Sequence, residues 1–266
     1  MSVHFVDTTL RDGEQQAGLA FSAADKLRIA HLLAGAGVAA IEAGTPIMGA
    51  AEQDALRGIV QQRLSCPVVA WNRARKEDIA ASVSCGFEWV HISVPVSDYH
   101  LVKKMRRSRS WLLGQLAQSI PYAKSWGCRV TVGAEDASRA DPHFFLEVAR
   151  LAAGLGAERI RYADTVGCLE PFGVYEKMKT LGEYCPLPIE FHGHNDFGLA
   201  VANTLAAIEA GIEWVSVTVG GIGERAGNAS LEGVQEALAL AKEQKSKMKA
   251  DLLPALRGEV QLACGN

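Results

Sequence analysis

Apolar and polar positions along the chain follow two alternating periods. Short runs rich in β-branched and aromatic residues read as strands: HFVDTT at 4–9, AAIEAG at 39–44, PVVAWN at 67–72 and WVHISVP at 89–95. RVTVGAE at 129–135, RIRYADT at 159–165, PIEFHGH at 188–194 and WVSVTVGG at 214–221 complete a set of eight. Between them lie longer stretches with helical spacing. The one at 22–37 opens on Ser22, a good N-cap, and ends in glycine. The one at 141–156 carries proline in its first turn, and another spans 197–211.

Eight strand–helix units predict an α/β fold, a (β/α)8 TIM barrel with a short C-terminal helical tail. An open doubly wound sheet is the alternative, but no glycine-rich dinucleotide fingerprint follows the first strand. The barrel is expected over 1–245, and a charged linker with one last helix over 246–266. The basic segment 97–108, with Lys103, Lys104, Arg106 and Arg107, is expected to cover one side of the barrel mouth.

Composition narrows the function. The chain has 266 residues, 48% hydrophobic and 21% charged, with a formal net charge of −3. That balance argues against nucleic acid or an anionic membrane surface as a partner. No apolar run is long enough to span a bilayer, and the N-terminus shows no signal peptide, so a cytoplasmic location is expected. Six scattered cysteines (Cys66, Cys85, Cys128, Cys168, Cys185, Cys264) include no CxxC pair. They are expected to be reduced and mostly buried, with spacings unsuited to structural zinc.

In a barrel of this kind the active site lies at the C-terminal ends of the strands. The polar residues expected there are Asp7, Arg11, Asp12, Glu14 and Gln15 after the first strand, then Glu42, Asn72 and Arg73. Glu135, Asp164, Thr165, His192, His194 and the run GGIGERAGN at 220–228 follow. His192 and His194, two apart in a strand, share a face. With Asp12 they make two imidazoles and a carboxylate, a set suited to a divalent ion with open positions. The same set describes non-haem iron oxygenases, which usually carry it on an all-β scaffold. Plainer readings stand beside these. Asp12 would cap a helix or pair with Arg11, and Glu135 and Asp136 would pair with Arg129 or Arg139. Thr165 would only cap a strand end, and Arg106 and Arg107 would be solvated.

DTTLRDGEQ at 7–15, HGHNDFGLAVANT at 192–204 and GGIGERAGNASLE at 220–232 resemble the DRE-TIM family of metal-dependent acyl transferases and lyases. That family includes homocitrate, 2-isopropylmalate and citramalate synthases. GAEDASRAD, RYADTVG and PVSDYHL look most like the homocitrate synthases of nitrogen-fixing bacteria. The resemblance implies condensation of acetyl-CoA with a 2-oxo acid on a divalent ion (Mg, Mn, Zn, Fe or Co). By match of position, Asp12, His192 and His194 would be the metal ligands, with Asn228 a further group near the metal. Arg11 would donate to the carbonyl oxygen as it becomes an alkoxide, and Glu135 would be the acid/base group that enolises the acetyl-CoA methyl. Thr165 would bind the substrate carboxylate, Gln15 and Glu42 would line the 2-oxo acid pocket, and the glycine-rich loop would cover the site.

The resemblance makes 2-oxoglutarate, giving homocitrate, the first expectation. The alternatives are the 2-isopropylmalate and citramalate reactions, an aldolase or lyase on the same metal, or a metal-binding subunit that needs another chain. The lyases' glycine-rich loop carries a cysteine, whereas here Arg225 lies in that loop and no cysteine does. The synthases usually continue into a helical subdomain that lends a histidine to the partner subunit, and no residue up to Asn266 matches it. A truncated product, half of a split enzyme, or chemistry independent of that segment would each account for this. A homodimer is expected, or a second chain supplying the missing helices.

Overall fold

Among residues 2–242 and 248–265, which the computed structural model describes, eight parallel strands close into a barrel in chain order. They are β1 (His4–Asp7), β2 (Ala40–Gly44), β3 (Val68–Arg73), β4 (Trp89–Pro95), β5 (Arg129–Glu135), β6 (Ile160–Asp164), β7 (Ile189–Gly193) and β8 (Trp214–Val217). The helices outside them are α1 (Ala23–Ala36), α2 (Ala50–Gln61), α3 (Lys76–Ser84), α4 (Arg109–Ser125), α5 (Pro142–Gly154), α6 (Pro171–Tyr184), α7 (Ala200–Glu209) and α8 (Leu231–Lys242). β8 pairs with β1, Phe5 opposite Val215, so no strand edge is left open.

Local chemistry explains the elements. α1 begins with a reciprocal capping box: Asp25 N donates to Ser22 Oγ at 3.1 Å and Ser22 N donates to Asp25 Oδ2 at 2.9 Å. It stops at Gly37, whose φ of 90° is the left-handed closure that glycine permits. Along the strands, alternate residues face the helices and the barrel axis. Val90, Ile92, Val130, Val132, Ile160, Tyr162, Ile189 and Phe191 join the apolar layer under the helices. Residues between them, among them His91, Thr131, Arg161 and Glu190, are polar and also buried.

β4 and β5 have the expected bounds, and the other strands end within a few residues of them. β1 stops at Asp7 because the Thr8 carbonyl turns back to accept from Arg11, Asp12 and Gly13 N–H groups. Segment 97–108 holds a π-helical turn, Tyr99–Lys104, in which Met105 N donates to His100 O at 2.9 Å. The expected domain boundary and the start of the linker fall in residues 243–247, outside the described residues. The terminal helix is α9 (Leu253–Ala263), whose Leu253, Leu256 and Val260 pack in one apolar cluster with Ile29 and Leu33 of α1. All six cysteines are free thiols, and only their burial departs from expectation: Cys85 and Cys128 alone are buried, and Cys168 is exposed. Among the described residues no helix is long and apolar enough to cross a membrane.

Candidate active site

The ends of β1, β7 and β8 bring three ligand-type side chains together. His192 leaves β7 and His194 follows that strand, both inward, as the two-residue spacing requires. Their Nε2 atoms face each other at 3.1 Å. Asp12, from the turn after β1, places Oδ2 3.3 Å from His192 Nε2 and 3.8 Å from His194 Nε2. All three are buried, and their ligand atoms lie within 4.8 Å of one another, the one such group among the described residues. Burial raises the Asp12 carboxyl, but the Arg11 charge and the His192 hydrogen bond outweigh it, so Asp12 sits well below the usual range. Burial, then the neighbouring His192, push His194 down to about 3, so it is neutral. Two imidazoles and an ionised carboxylate converging on one point, with Asn228 Oδ1 also buried and unpartnered, fit a divalent cation. Asn228 Nδ2 donates to Asp12 Oδ1 at 3.1 Å and orients that carboxylate.

The trio opens into a cavity of about 260 Å³ that also has Arg11, Gln15, Glu135 and Thr165 in its wall. Arg11 Nη1 lies 3.1 Å from Asp12 Oδ2, so the ion pair considered as an alternative exists alongside the cluster. Glu135 separates this cavity from a second chamber of about 330 Å³, whose wall it shares with Trp71 and Ser93. His100, on the π-helical turn, puts Nδ1 3.1 Å from Glu135 Oε1. Thr165 Oγ1 accepts from Asp136 N at 2.8 Å, which leaves its own proton free to donate.

Glu42 is placed differently from expectation. It is fully buried and absent from the cavity wall. Arg11 Nε donates to its Oε1 at 2.5 Å and Arg161 Nη2 to its Oε2 at 2.7 Å. Burial opposes ionisation, yet the Arg11 and Arg161 charges bring Glu42 down to about 2. It is an anchor for two guanidiniums. Other rim residues are also structural. Asp164 accepts from Cys168 N and Leu169 N, and Asn72 accepts from Ser82 Oγ. Arg73 pairs with Asp78, and Glu14 pairs with Lys26. Asp136 pairs with Arg139, and Arg129 with Glu158.

Inside the barrel, below the cavity, lies a charged layer that the sequence pattern did not assign. Arg159 Nε and Arg161 Nε each donate to Glu190 at 2.6 Å, and Ser216 Oγ donates to it at 2.5 Å. His91 Nδ1 lies 2.9 Å from Thr131 Oγ1; burial and the Arg161 charge pull His91 down to about 3. His91, Arg161, Trp71, Ser93 and Glu224 all reach the cavity wall.

The glycine-rich loop after β8 closes the side beside His194. A Cβ on Gly227, at φ +85°, would strike the Gly221 carbonyl oxygen. Arg225 in this loop donates to Asp196, to the Thr165 carbonyl at 2.6 Å and to His194 Nδ1 at 2.9 Å.

The chain is 47% identical over 236 residues to 2-isopropylmalate synthase 2 of Caldanaerobacter subterraneus subsp. tengcongensis, covering 89% of this chain and 62% of that relative. It is 45% identical over 228 residues to homocitrate synthase subunit alpha of Clostridium pasteurianum, covering 86% of this chain and 85% of that one. The barrel superposes on hydroxymethylglutaryl-CoA lyase from Pseudomonas aeruginosa with a TM-score of 0.88 at 22% identity, covering 100% of this chain and 94% of that chain, a likeness of fold. Residues 2–258 match the HMGL-like family model, and the chain belongs to that family.

Proposed function

We propose that the chain catalyses a Claisen condensation of acetyl-CoA with a 2-oxo acid, 2-oxoglutarate first among them, to give homocitrate. One observation carries this reading: Asp12, His192 and His194 converge beside Arg11, and Glu135 lies in the wall of the same cavity. Asp12, His192 and His194 would hold a divalent cation, which would supply Lewis-acid polarisation of the 2-oxo acid carbonyl. Glu135 takes a proton from the acetyl methyl, and that carbon forms a bond to the carbonyl carbon. Arg11, clamped by Glu42, donates to the oxygen as it gains negative charge. Water then cleaves the thioester and releases CoA. Thr165 and Gln15, in the same cavity wall, would bind the acid. The second chamber, with Trp111 and Met105 in its wall and Arg73, Arg75 and Lys104 around it, suits the thioester arm.

The names of the relatives favour synthases over lyases, and the glycine-rich loop at 220–228 has Arg225 and no cysteine. The subunit name of the Clostridium relative supports action with a second chain that supplies further helices. A homodimer is the other arrangement. The test is thiol release from acetyl-CoA with 2-oxoglutarate, 2-oxoisovalerate or pyruvate, with and without added divalent cation. Release is expected to need both acid and cation, to be weak with the chain alone and to rise with a second chain. Cleavage of a hydroxyacyl-CoA without any condensation would overturn the synthase reading.

A further inference from the structure

The floor of the cavity is built around Gly133. Strand register places Ser93 of β4 on one side of it and Arg161 of β6 on the other. All three belong to the cavity wall. A Cβ at position 133 would press into His91 Nε2 and lie 3.3 Å from Ser93 Oγ, so these two polar atoms converge above the glycine. His91 is held there through its other nitrogen by Thr131, at 2.9 Å, and cannot retreat without losing that bond.

Arg161 supplies the charge. Its Nε and Nη2 are committed to Glu190 and Glu42. Its Nη1 has no partner among the described residues. Neither carboxylate belongs to Arg161 alone. Glu190 also accepts from Arg159, and Glu42 also accepts from Arg11. Arg159, Arg161 and Arg11 are thus linked in one chain through Glu190 and Glu42, and Arg11 ends it on Asp12. Such a chain fixes the Arg161 plane, so its open edge presents donors in a set direction. Water-exposed apolar lining would suit the aliphatic tail of a monoacid; a guanidinium, a hydroxyl and an imidazole around one glycine do not.

We propose that Arg161, Ser93 and His91 form an anion cradle over Gly133 that binds the far carboxylate of a 2-oxo dicarboxylic acid. This rests on the synthase reading above and names what selects its substrate. The head of the acid meets Arg11 and Thr165, and the tail carboxylate sits over Gly133. The missing Cβ is what lets His91 bring Nε2 over the glycine. Arg161 is then a specificity-determining residue, and Glu190 a positioning residue behind it.

The experiment compares calorimetric binding of 2-oxoglutarate and 2-oxopentanoate to the full chain in the presence of Mn²⁺. The two acids differ only in the terminal carboxylate. Wild type is expected to bind 2-oxoglutarate at least about tenfold tighter, as charge-assisted hydrogen bonds would give. Arg161→Lys and Gly133→Ala should remove most of that preference, weakening 2-oxoglutarate far more than 2-oxopentanoate. Ser93→Ala, which disturbs no buried ion pair, should reduce it severalfold with an unaltered melting temperature. It keeps the test valid if the Arg161 variant fails to fold. Equal binding of both acids by wild type, or an unchanged preference in Ser93→Ala and Gly133→Ala, would overturn the cradle while the 2-oxo acid reading stands. Binding of neither acid would overturn that reading, and the cradle with it.

Discussion

The two faces of β7 make opposite environments from neighbouring residues. Ile189 and Phe191 face the helices in an apolar layer, where burial itself stabilises. Glu190 and His192 face the axis, equally buried, where burial costs free energy that only partners can offset. The outer face tolerates any well-packed apolar side chain of similar volume. Around Glu190 and Glu42 the inner face tolerates little, because each of these two carboxylates serves two guanidiniums. The barrel wall thus holds the fold on one side and stores ordered charge for chemistry on the other.

The sharpest separation of the two faces is His192→Ala, expected to abolish bound divalent cation by elemental analysis while thermal unfolding barely moves. Asp12→Ala should do the same. Full occupancy in either variant would remove the metal assignment. Next is Glu190→Ala, which strands Arg159 and Arg161 and should cost about 3–5 kcal/mol in urea unfolding. Phe191→Ala should cost a similar amount, about 3–5 kcal/mol, through a cavity, yet keep the cation. If Phe191→Ala lost the cation as His192→Ala does, the faces would not be independent. Arg11→Lys keeps a charge but loses the planar fork, and about 3 kcal/mol of barrier would lower turnover about a hundredfold. Wild-type turnover in that variant would exclude Arg11 as the electrophilic group.

The smallest effect concerns Asp7, buried on the outer side of β1 with Oδ2 unpartnered. Burial raises its carboxyl from 3.8 to about 7. The folded chain therefore keeps this proton where the unfolded chain has lost it. Its stabilising contribution is full below the unfolded value and fades as pH rises toward 7. Asp7→Asn should flatten unfolding free energy between pH 5 and 7 by about 2–3 kcal/mol. An unchanged pH slope would show that Asp7 is ionised in the fold.

The period-2 runs marked all eight strands because their outward residues are β-branched or aromatic. The trio was legible because two ligands lie two residues apart on one strand. Glu42 and Arg161 were harder, being 119 positions apart in the chain. A charged residue within a strand run shows that something inside must meet it, but not what. Glu42 was therefore expected in the wall, and Arg161 was given no role. His100 reaches Glu135 only through a π-helical turn, which leaves no regular apolar spacing to read.

Arg225 bears on how the site fills. A guanidinium can only donate, so the 2.9 Å contact from Arg225 Nη2 makes His194 Nδ1 the acceptor. The proton of neutral His194 then sits on Nε2, the atom facing Asp12 and His192. Ligation through Nε2 requires the other tautomer, with the proton on Nδ1 and aimed at Arg225. Glu224 Oε1, 3.8 Å from Nδ1, is an acceptor close enough to take that hydrogen bond after a small shift of the loop. A cation held through Nε2 would therefore need that proton to change nitrogens and Arg225 to give up its hold on Nδ1, which would couple filling of the site to the glycine-rich loop.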